Sequence, residues 1–278
     1  MSAFSECHGH IFMDGDDYKA AKARHARGVD ENDIRLHLRQ LRDAGVDYFR
    51  DGGDALGVSL LARELAGEYG IRYKTPAFAI HKRGRYGGIV GRAFENYGEY
   101  ERLLEEVKAR GGDFVKLMLS GIVSFRRYGE LSCPSLDAEE IRTLVRLAHE
   151  TGYAVMVHVN GEESVSAAVE AGADSIEHGC FLGKKAVDAM RERDTLWVPT
   201  LSAIAAFAGR AGYDRSVTAE TLRVQRQRVR YALERGAPVC SGSDSGAWGV
   251  PHGQGIITEL ELLGDGCHKG NRALRERF

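Results

Sequence analysis

His8-Gly9-His10 places two imidazoles one strand pleat apart near the beginning of the numbered chain. In an extended strand successive side chains alternate faces, so His8 and His10 point the same way, and Gly9 offers no side chain to the other face. Two imidazoles so placed can grip one metal ion. Taken alone, the pair reads equally well as two solvated histidines. Four further positions change the weighing: Lys116, His158, His178 and Asp244, each expected at the end of an apolar run. Each has an ordinary reading. A lone strand-end histidine is commonly a hydrogen-bonded structural residue, a lysine in an apolar strand can snorkel, and an aspartate among serines can cap a helix. Glu177, beside His178, should face away from it and reads as structural.

The elements that must position these residues follow a repeated pattern of apolar strand, polar loop, one-faced helix and glycine. Strands are expected at about 4–13, 46–51, 71–80, 114–119, 154–159, 175–178, 196–200 and 239–244. Helices are expected at about 30–44, 58–69, 99–110, 137–151, 162–171, 184–193 and 217–235, then from 255 and around 271. The segments 14–19, 81–92 and 121–135 read as loops. Asp137 with Glu140 three residues on has the pattern of a capping box. Near-continuous apolar strands alternating with amphipathic helices indicate a parallel sheet buried on both faces. Eight such units in 278 residues suit a (β/α)8 TIM barrel of one domain, residues 1–278. An open doubly wound sheet should show a glycine-rich phosphate turn after strand 1, and His8-Gly9-His10-Ile11 is not one. In a barrel, chemistry sits at the C-terminal ends of the strands. His8, His10, Lys116, His158, His178 and Asp244 would all meet there.

Composition excludes other classes. With 43% hydrophobic and 28% charged residues the chain is ordinary globular protein. A net charge of -2 and a pI near 6.6 give no overall electrostatic case for nucleic acid or a membrane surface. No apolar run reaches a membrane span, and the first residues do not look like a signal peptide. Five scattered cysteines without a C-x-x-C argue against a disulfide framework or zinc ribbon and suit a reducing cytoplasm.

With these residues in view, the chain resembles the metal-dependent amidohydrolase superfamily. The matching pieces are His8-x-His10, Lys116 in Asp113-Phe114-Val115-Lys116, and His158 in Met156-Val157-His158-Val159. His178 in Ser175-Ile176-Glu177-His178-Gly179 and Asp244 in Ser241-Gly242-Ser243-Asp244 complete them. The text around Lys116, His158 and His178 is most similar to the branch with imidazolonepropionase-like enzymes and Xaa-Pro and Xaa-Arg dipeptidases. The resemblance implies two divalent ions, most often Zn2+, with Mn2+, Co2+ or Fe2+ as alternatives. His8, His10 and Asp244 would hold one, His158 and His178 the other, and an N6-carboxylated Lys116 would bridge them. It also implies a bridging hydroxide as nucleophile and Asp244 as general base, then acid. Many superfamily members carry a β-sandwich built from both flanks of the barrel. Here His8 comes too early and too little follows Asp244 for one, so a barrel without it is expected.

Two loops on the expected catalytic face are basic: His81-Lys82-Arg83-Gly84-Arg85-Tyr86 and Arg126-Arg127-Tyr128. The loop after Asp244 adds Trp248 and His252. These suggest an anionic substrate, with His81, Arg85, Tyr86, Arg126 and His252 as candidate contacts. The alternative is that the arginines are solvated surface charges. His25, His37, His149 and His268 read as surface residues. The function expected is a hydrolase of an amide-type bond in a cyclic amide, N-acyl amino acid or dipeptide. A lactonase or phosphoesterase on the same site is the alternative, and a non-catalytic metal-binding barrel a third. The expected partner is a small-molecule substrate, with homo-oligomerisation left open.

Overall fold

The computed structural model describes residues 4–264 and 266–278, the side chains of 268 and 269 excepted. Strand β1 (Phe4–Gly9) pairs in parallel with β2 (Val46–Asp51), and β2 with β3 (Arg72–Lys74). A second parallel sheet has the order β5 (Gly91–Phe94), β4 (Ala79–Lys82), β6 (Val115–Met118), β7 (Val155–Val159), β8 (Ser175–His178), β9 (Leu196–Val198). The helices are α1 (Tyr18–His25), α2 (Glu31–Asp43), α3 (Val58–Ala66), α4 (Tyr97–Ala109), α5 (Ala138–Glu150) and α6 (Glu162–Glu170). They continue as α7 (Lys184–Arg193), α8 (Leu201–Ala205), α9 (Arg215–Arg235), α10 (Gln254–Leu263) and α11 (His268–Arg277).

The architecture is parallel α/β and barrel-like, but the sheet is not the closed eight-stranded barrel expected from the sequence. Two seams interrupt it. The expected third strand is broken at Pro76, which has no N–H for a ladder, and at Ala77, which has φ 66. Its first half, β3, pairs with β2, and its second half, β4, pairs with β6. The free edge of β4 takes β5, a strand that falls within the expected loop and the residues just after it. Gly91 allows this approach, since a Cβ there would lie 2.3 Å from the Ala79 carbonyl oxygen. Four residues without alternation gave no strand signal.

At the second seam the segment 239–245 forms single bridges, Val239 to Trp197 on β9 and Ser245 to Gly9 on β1. Backbone bonds hold it on both sides. Cys240 N–H donates to the Trp197 carbonyl at 2.8 Å, Cys7 N–H to the Ser241 carbonyl at 2.9 Å, and Asp244 N–H to the His8 carbonyl at 2.8 Å. Asp244 has φ 64, which takes it out of strand conformation and stops a continuous ladder.

Most helices follow the expected periodicity. On α5, Ile141, Leu144, Val145 and Ala148 are buried, and Asp137 caps it by accepting from Glu140 N–H at 2.8 Å. These residues join Val155, Val157 and Val159 of β7 and Ile176 of β8 in the main aliphatic core. Helix α1 lies where the sequence suggested mostly loop. Asp17 caps it, and only Ala21 and His25 are buried, so no apolar stripe announced it. Helix α8 is a five-residue addition between β9 and α9. His25 and His37 are buried rather than on the surface. The His25 imidazole accepts from Asp30 N–H at 3.1 Å, and His37 Nδ1–H donates to the Ile11 carbonyl at 2.8 Å. His149 lies on α5 and is exposed, as expected. His268 begins α11, and its side chain lies outside the described residues. Among the described residues no helix is long and apolar enough to cross a membrane.

Candidate metal centre

His8 and His10 leave the end of β1 on one face, and the αL turn at Asp244 brings its carboxylate over them. Asp244 Oδ1 lies 3.5 Å from His8 Nε2 and 3.5 Å from His10 Nε2. One ligand atom from each of these residues falls within 4.8 Å of the others. The backbone around them is tightly built. A Cβ on Gly9 would meet Ser245 Oγ at 2.5 Å, and one on Gly52 would meet His10 Cε1 at 2.2 Å. Gly52, in the loop after β2, is thus what leaves room for the His10 ring, and a glycine in a loop carries no such message in sequence.

The imidazoles continue from this group as a chain. The His8 and His178 ring centroids are 5.0 Å apart, and those of His178 and His158 4.5 Å. His158 pairs with Met118 and Glu177 in register, and Lys116 with Ala79 and Met156. Lys116 Nζ is buried and has no hydrogen-bond partner among the described residues. A buried amine without a partner is costly unless something else completes its surroundings. The donor set of four imidazoles, a carboxylate and this amine therefore fits divalent ions such as zinc.

Glu177 corrects the expectation that it faces away from the site. It shares a face with Ser175, as alternation requires, and that face is the interior. The residue out of phase is His178, whose φ of 65 turns its side chain inward as well. Glu177 Oε2 accepts from His8 Nδ1–H at 2.6 Å. A carboxylate holding Nδ1–H fixes the tautomer and leaves Nε2 as the ligand atom. Glu177 Oε1 accepts from Arg50 Nη2 at 2.8 Å and from Ser175 Oγ at 2.6 Å. Arg50, fully buried on β2, also donates to the Cys7 carbonyl at 2.8 Å, so one guanidinium ties β1 and β2 to β8. Sequence reasoning missed Arg50, because an arginine near the end of a strand resembles any solvated charge. His178 Nδ1 lies 2.8 Å from Thr200 Oγ1, and His158 Nε2 lies 3.4 Å from the Gly121 carbonyl. Each ring keeps its other nitrogen free.

Burial sets the charge state. It pushes the pKa of His10 and of His158 down to about 3, with the Lys116 charge adding to the shift. His8 and His178 fall well below the ordinary value, first through burial, then through Lys116 for His8 and His158 for His178. All four rings are neutral near pH 7, as metal ligands must be. Burial raises Asp244 to about 7 against the opposing pull of Lys116, and lowers Lys116 to about 8 against Glu177.

The candidate substrate contacts separate into three groups. His81 and Tyr86 lie toward the imidazoles. His81, on β4, is buried and donates Nδ1–H to the Lys82 carbonyl at 3.0 Å, and Tyr86 is half-buried with its ring centroid 5.1 Å from that of His158. Arg85 and Arg126 are exposed; Arg126 stands over the Tyr213 ring at 5.9 Å, and among the described residues Arg85 makes no side-chain contact of this kind. His252 is buried, donates Nε2–H to the Met13 carbonyl at 2.8 Å and stacks on His37 with centroids 4.3 Å apart. It braces the turn after β1 through the Met13 carbonyl.

Fold and side chains together bring a candidate set of metal ligands to the C-terminal ends of parallel strands. The chain belongs to the amidohydrolase family, which it matches over residues 4–272. An uncharacterized protein of Mycobacterium tuberculosis (strain ATCC 25618 / H37Rv) is 30% identical over 183 residues, which are 63% of this chain and 48% of that one. Ochratoxinase of Aspergillus niger is 28% identical over 154 residues, 55% of this chain and 30% of the enzyme. The matches thus span about half or less of the curated relatives' length. A crystal structure of a Xaa-Pro dipeptidase with methionine bound in its active site superposes with a TM-score of 0.75 at 22% identity. That match covers 99% of this chain and 72% of the dipeptidase. At this identity the likeness speaks for the fold, which supports a TIM-barrel-like description despite the two seams.

Proposed function

We propose that the chain is a metal-dependent hydrolase that cleaves an amide-type bond in a cyclic amide, an N-acyl amino acid or a dipeptide. The observation that carries this reading is the convergence of His8, His10 and Asp244 to within 4.8 Å. We read the whole as one (β/α)8 barrel domain, 1–278, opened at two seams. His8, His10 and Asp244 would hold one divalent ion, His158 and His178 a second, most simply zinc, with Lys116 between them. The unpartnered, buried Nζ of Lys116 supports its N6-carboxylation, which would replace a repelling ammonium with a bridging anion. Bound there, the ions would lower the pKa of a water and polarise the substrate carbonyl.

The chain's own groups supply the rest. Asp244 takes the proton of the attacking water on its carboxylate and returns it to the nitrogen of the leaving amine. Glu177 and Arg50 hold His8 in the tautomer that presents Nε2. Tyr86, over His158, borders the approach of the substrate, and His81 stands at the end of the neighbouring strand.

The test is metal analysis of the purified protein with a hydrolysis screen of N-acyl amino acids, dipeptides, hydantoins, lactones and phosphoesters. Bound transition metal and hydrolysis of amides, abolished by Asp244→Asn, are expected. Cleavage of lactones or phosphoesters alone would change the bond and keep the site. No bound metal, together with no hydrolysis after adding zinc, cobalt or manganese, would overturn the reading.

A further inference from the structure

The loops after β6, after α8 and after Asp244 carry a shelf of aromatic rings, of which the sequence singled out Trp248 alone. Phe125 stacks on Phe207 with centroids 4.5 Å apart, Phe207 meets Tyr213 edge-on at 4.9 Å, and Trp248 lies 5.6 Å from Phe207. Over them lies Arg210. Its guanidinium carbon is 3.7 Å from the Trp248 centroid, 5.2 Å from that of Phe207 and 5.3 Å from that of Tyr213. Arg126 approaches Tyr213 from the strand-6 loop at 5.9 Å. Neither arginine makes an ion pair among the described residues.

The shelf is tied to the candidate centre by short lengths of chain. Trp248 follows Asp244 by four residues, and Phe207 follows Thr200, the partner of His178 Nδ1, by seven. Cys180, two residues beyond His178, packs against Phe125 and Ile204, and its N–H donates to Asn160 Oδ1 at 2.9 Å. Asn160 Nδ2 in turn donates at 3.1 Å to the Gly121 carbonyl that faces His158. Trp248 and Phe207 are thus tied by the chain to Asp244 and to the partner of His178, and Phe125 is tied by packing to Cys180.

We propose that this shelf is the specificity subsite, and that it takes an aromatic ring carried next to a carboxylate. Half-buried rings offer faces and edges to another ring. A guanidinium placed over an indole face can keep its N–H edge free to donate two bonds to a carboxylate. A half-buried cation set over three rings, with no acid beside it among the described residues, can pair with an anion brought in with the ligand. Arg210, rather than the exposed Arg85, is then the anion-binding arginine. Joined to the hydrolase reading, on which this last step rests, the substrate class is an N-acyl aromatic amino acid or a dipeptide ending in one.

The subsite is tested first by calorimetric titration with 3-phenylpropionate, propionate and 3-phenylpropan-1-ol, which needs no catalysis. Only the first should bind tightly. Arg210→Met should weaken it at least tenfold, and Phe207→Leu should shrink its advantage over propionate, both at unchanged melting temperature. Equal binding by Arg210→Met, or no binding of 3-phenylpropionate, would overturn the proposal. So would a dimer in sedimentation that Phe207→Ser dissolves, since a second copy would then cover the rings. In hydrolysis assays Arg210→Met should raise KM at least tenfold for N-acetylphenylalanine and within twofold for its amide, which lacks the carboxylate. If the wild type hydrolyses nothing, the hydrolase reading falls while the titration still decides the subsite.

Discussion

The six-stranded sheet and the seam where residues 239–245 meet β1 are built by different means. From β4 through β9 the strands share a regular parallel ladder, and Val155, Val157, Val159 and Ile176 pack beneath α5, α6 and α7. At the seam side chains do much of the holding. Glu6 accepts from Ser243 N–H at 2.7 Å, Ser241 Oγ donates to the Ser5 carbonyl at 2.8 Å, and Asn271 bonds both Ser241 N–H and Ser241 Oγ at 2.8 Å. A ladder holds its residues extended, and in the larger sheet the turn out of phase comes at the last residue of β8, His178. Side-chain bonds tolerate the left-handed backbone at Asp244, and that turn aims the carboxylate at His8 and His10. The regular ladder positions Lys116 and His158, and left-handed turns aim His178 and Asp244.

Breaking the tie between the two regions should have the largest effect. Arg50→Met leaves Glu177 buried without its cation, with only the bonds from His8 and Ser175, and should cost about 3–5 kcal/mol in urea unfolding. A loss below about 1 kcal/mol would mean the two sheets do not depend on this pair. Next, Gly52→Ala pushes a methyl into the His10 ring from a backbone with no strain of its own. Metal affinity should fall about 10–100-fold, read by competition with a chelator, while the melting temperature moves little. Unchanged affinity would detach His10 from the site. Asn271→Ala removes two bonds to the seam strand, worth about 1–2 kcal/mol together. The loss should be accompanied by faster amide hydrogen exchange at residues 241–245 and not in β7.

The smallest effect is a slope. Burial raises Glu259, which accepts from Leu201 and Ser202 N–H at the start of α8, to about 7. Folded protein then holds a proton there between pH about 4.5 and 7 that the unfolded chain has lost. The stability this contributes is full below about 4.5 and fades as pH rises to about 7, at a limiting slope of about 1.4 kcal/mol per unit. The stability difference between wild type and Glu259→Gln should decline over that window and be flat above it. A difference independent of pH would show Glu259 ionised in the folded protein.

Residue order and local periodicity by themselves determined the parallel α/β class and most helices, and they singled out His8, His10, Lys116, His158, His178 and Asp244 as candidates at strand ends. Those signals are local: a strand's side chains alternate and a helix's apolar stripe recurs through near neighbours in the chain. Tertiary structure decided what depends on distant partners. The short Gly91–Phe94 strand exists because Ala79 offers an edge, and His37 and His252 are buried because each finds a carbonyl near β1. Glu177 serves His8 because Arg50, from another sheet, holds it. His178 and Asp244 point inward only through left-handed backbone that long-range hydrogen bonds and packing must stabilise, since the local preference of a non-glycine residue opposes it. Arg210 owes only part of its place to a distant partner, since Trp248 comes from the loop after Asp244 while Phe207 and Tyr213 stand three residues to either side of it.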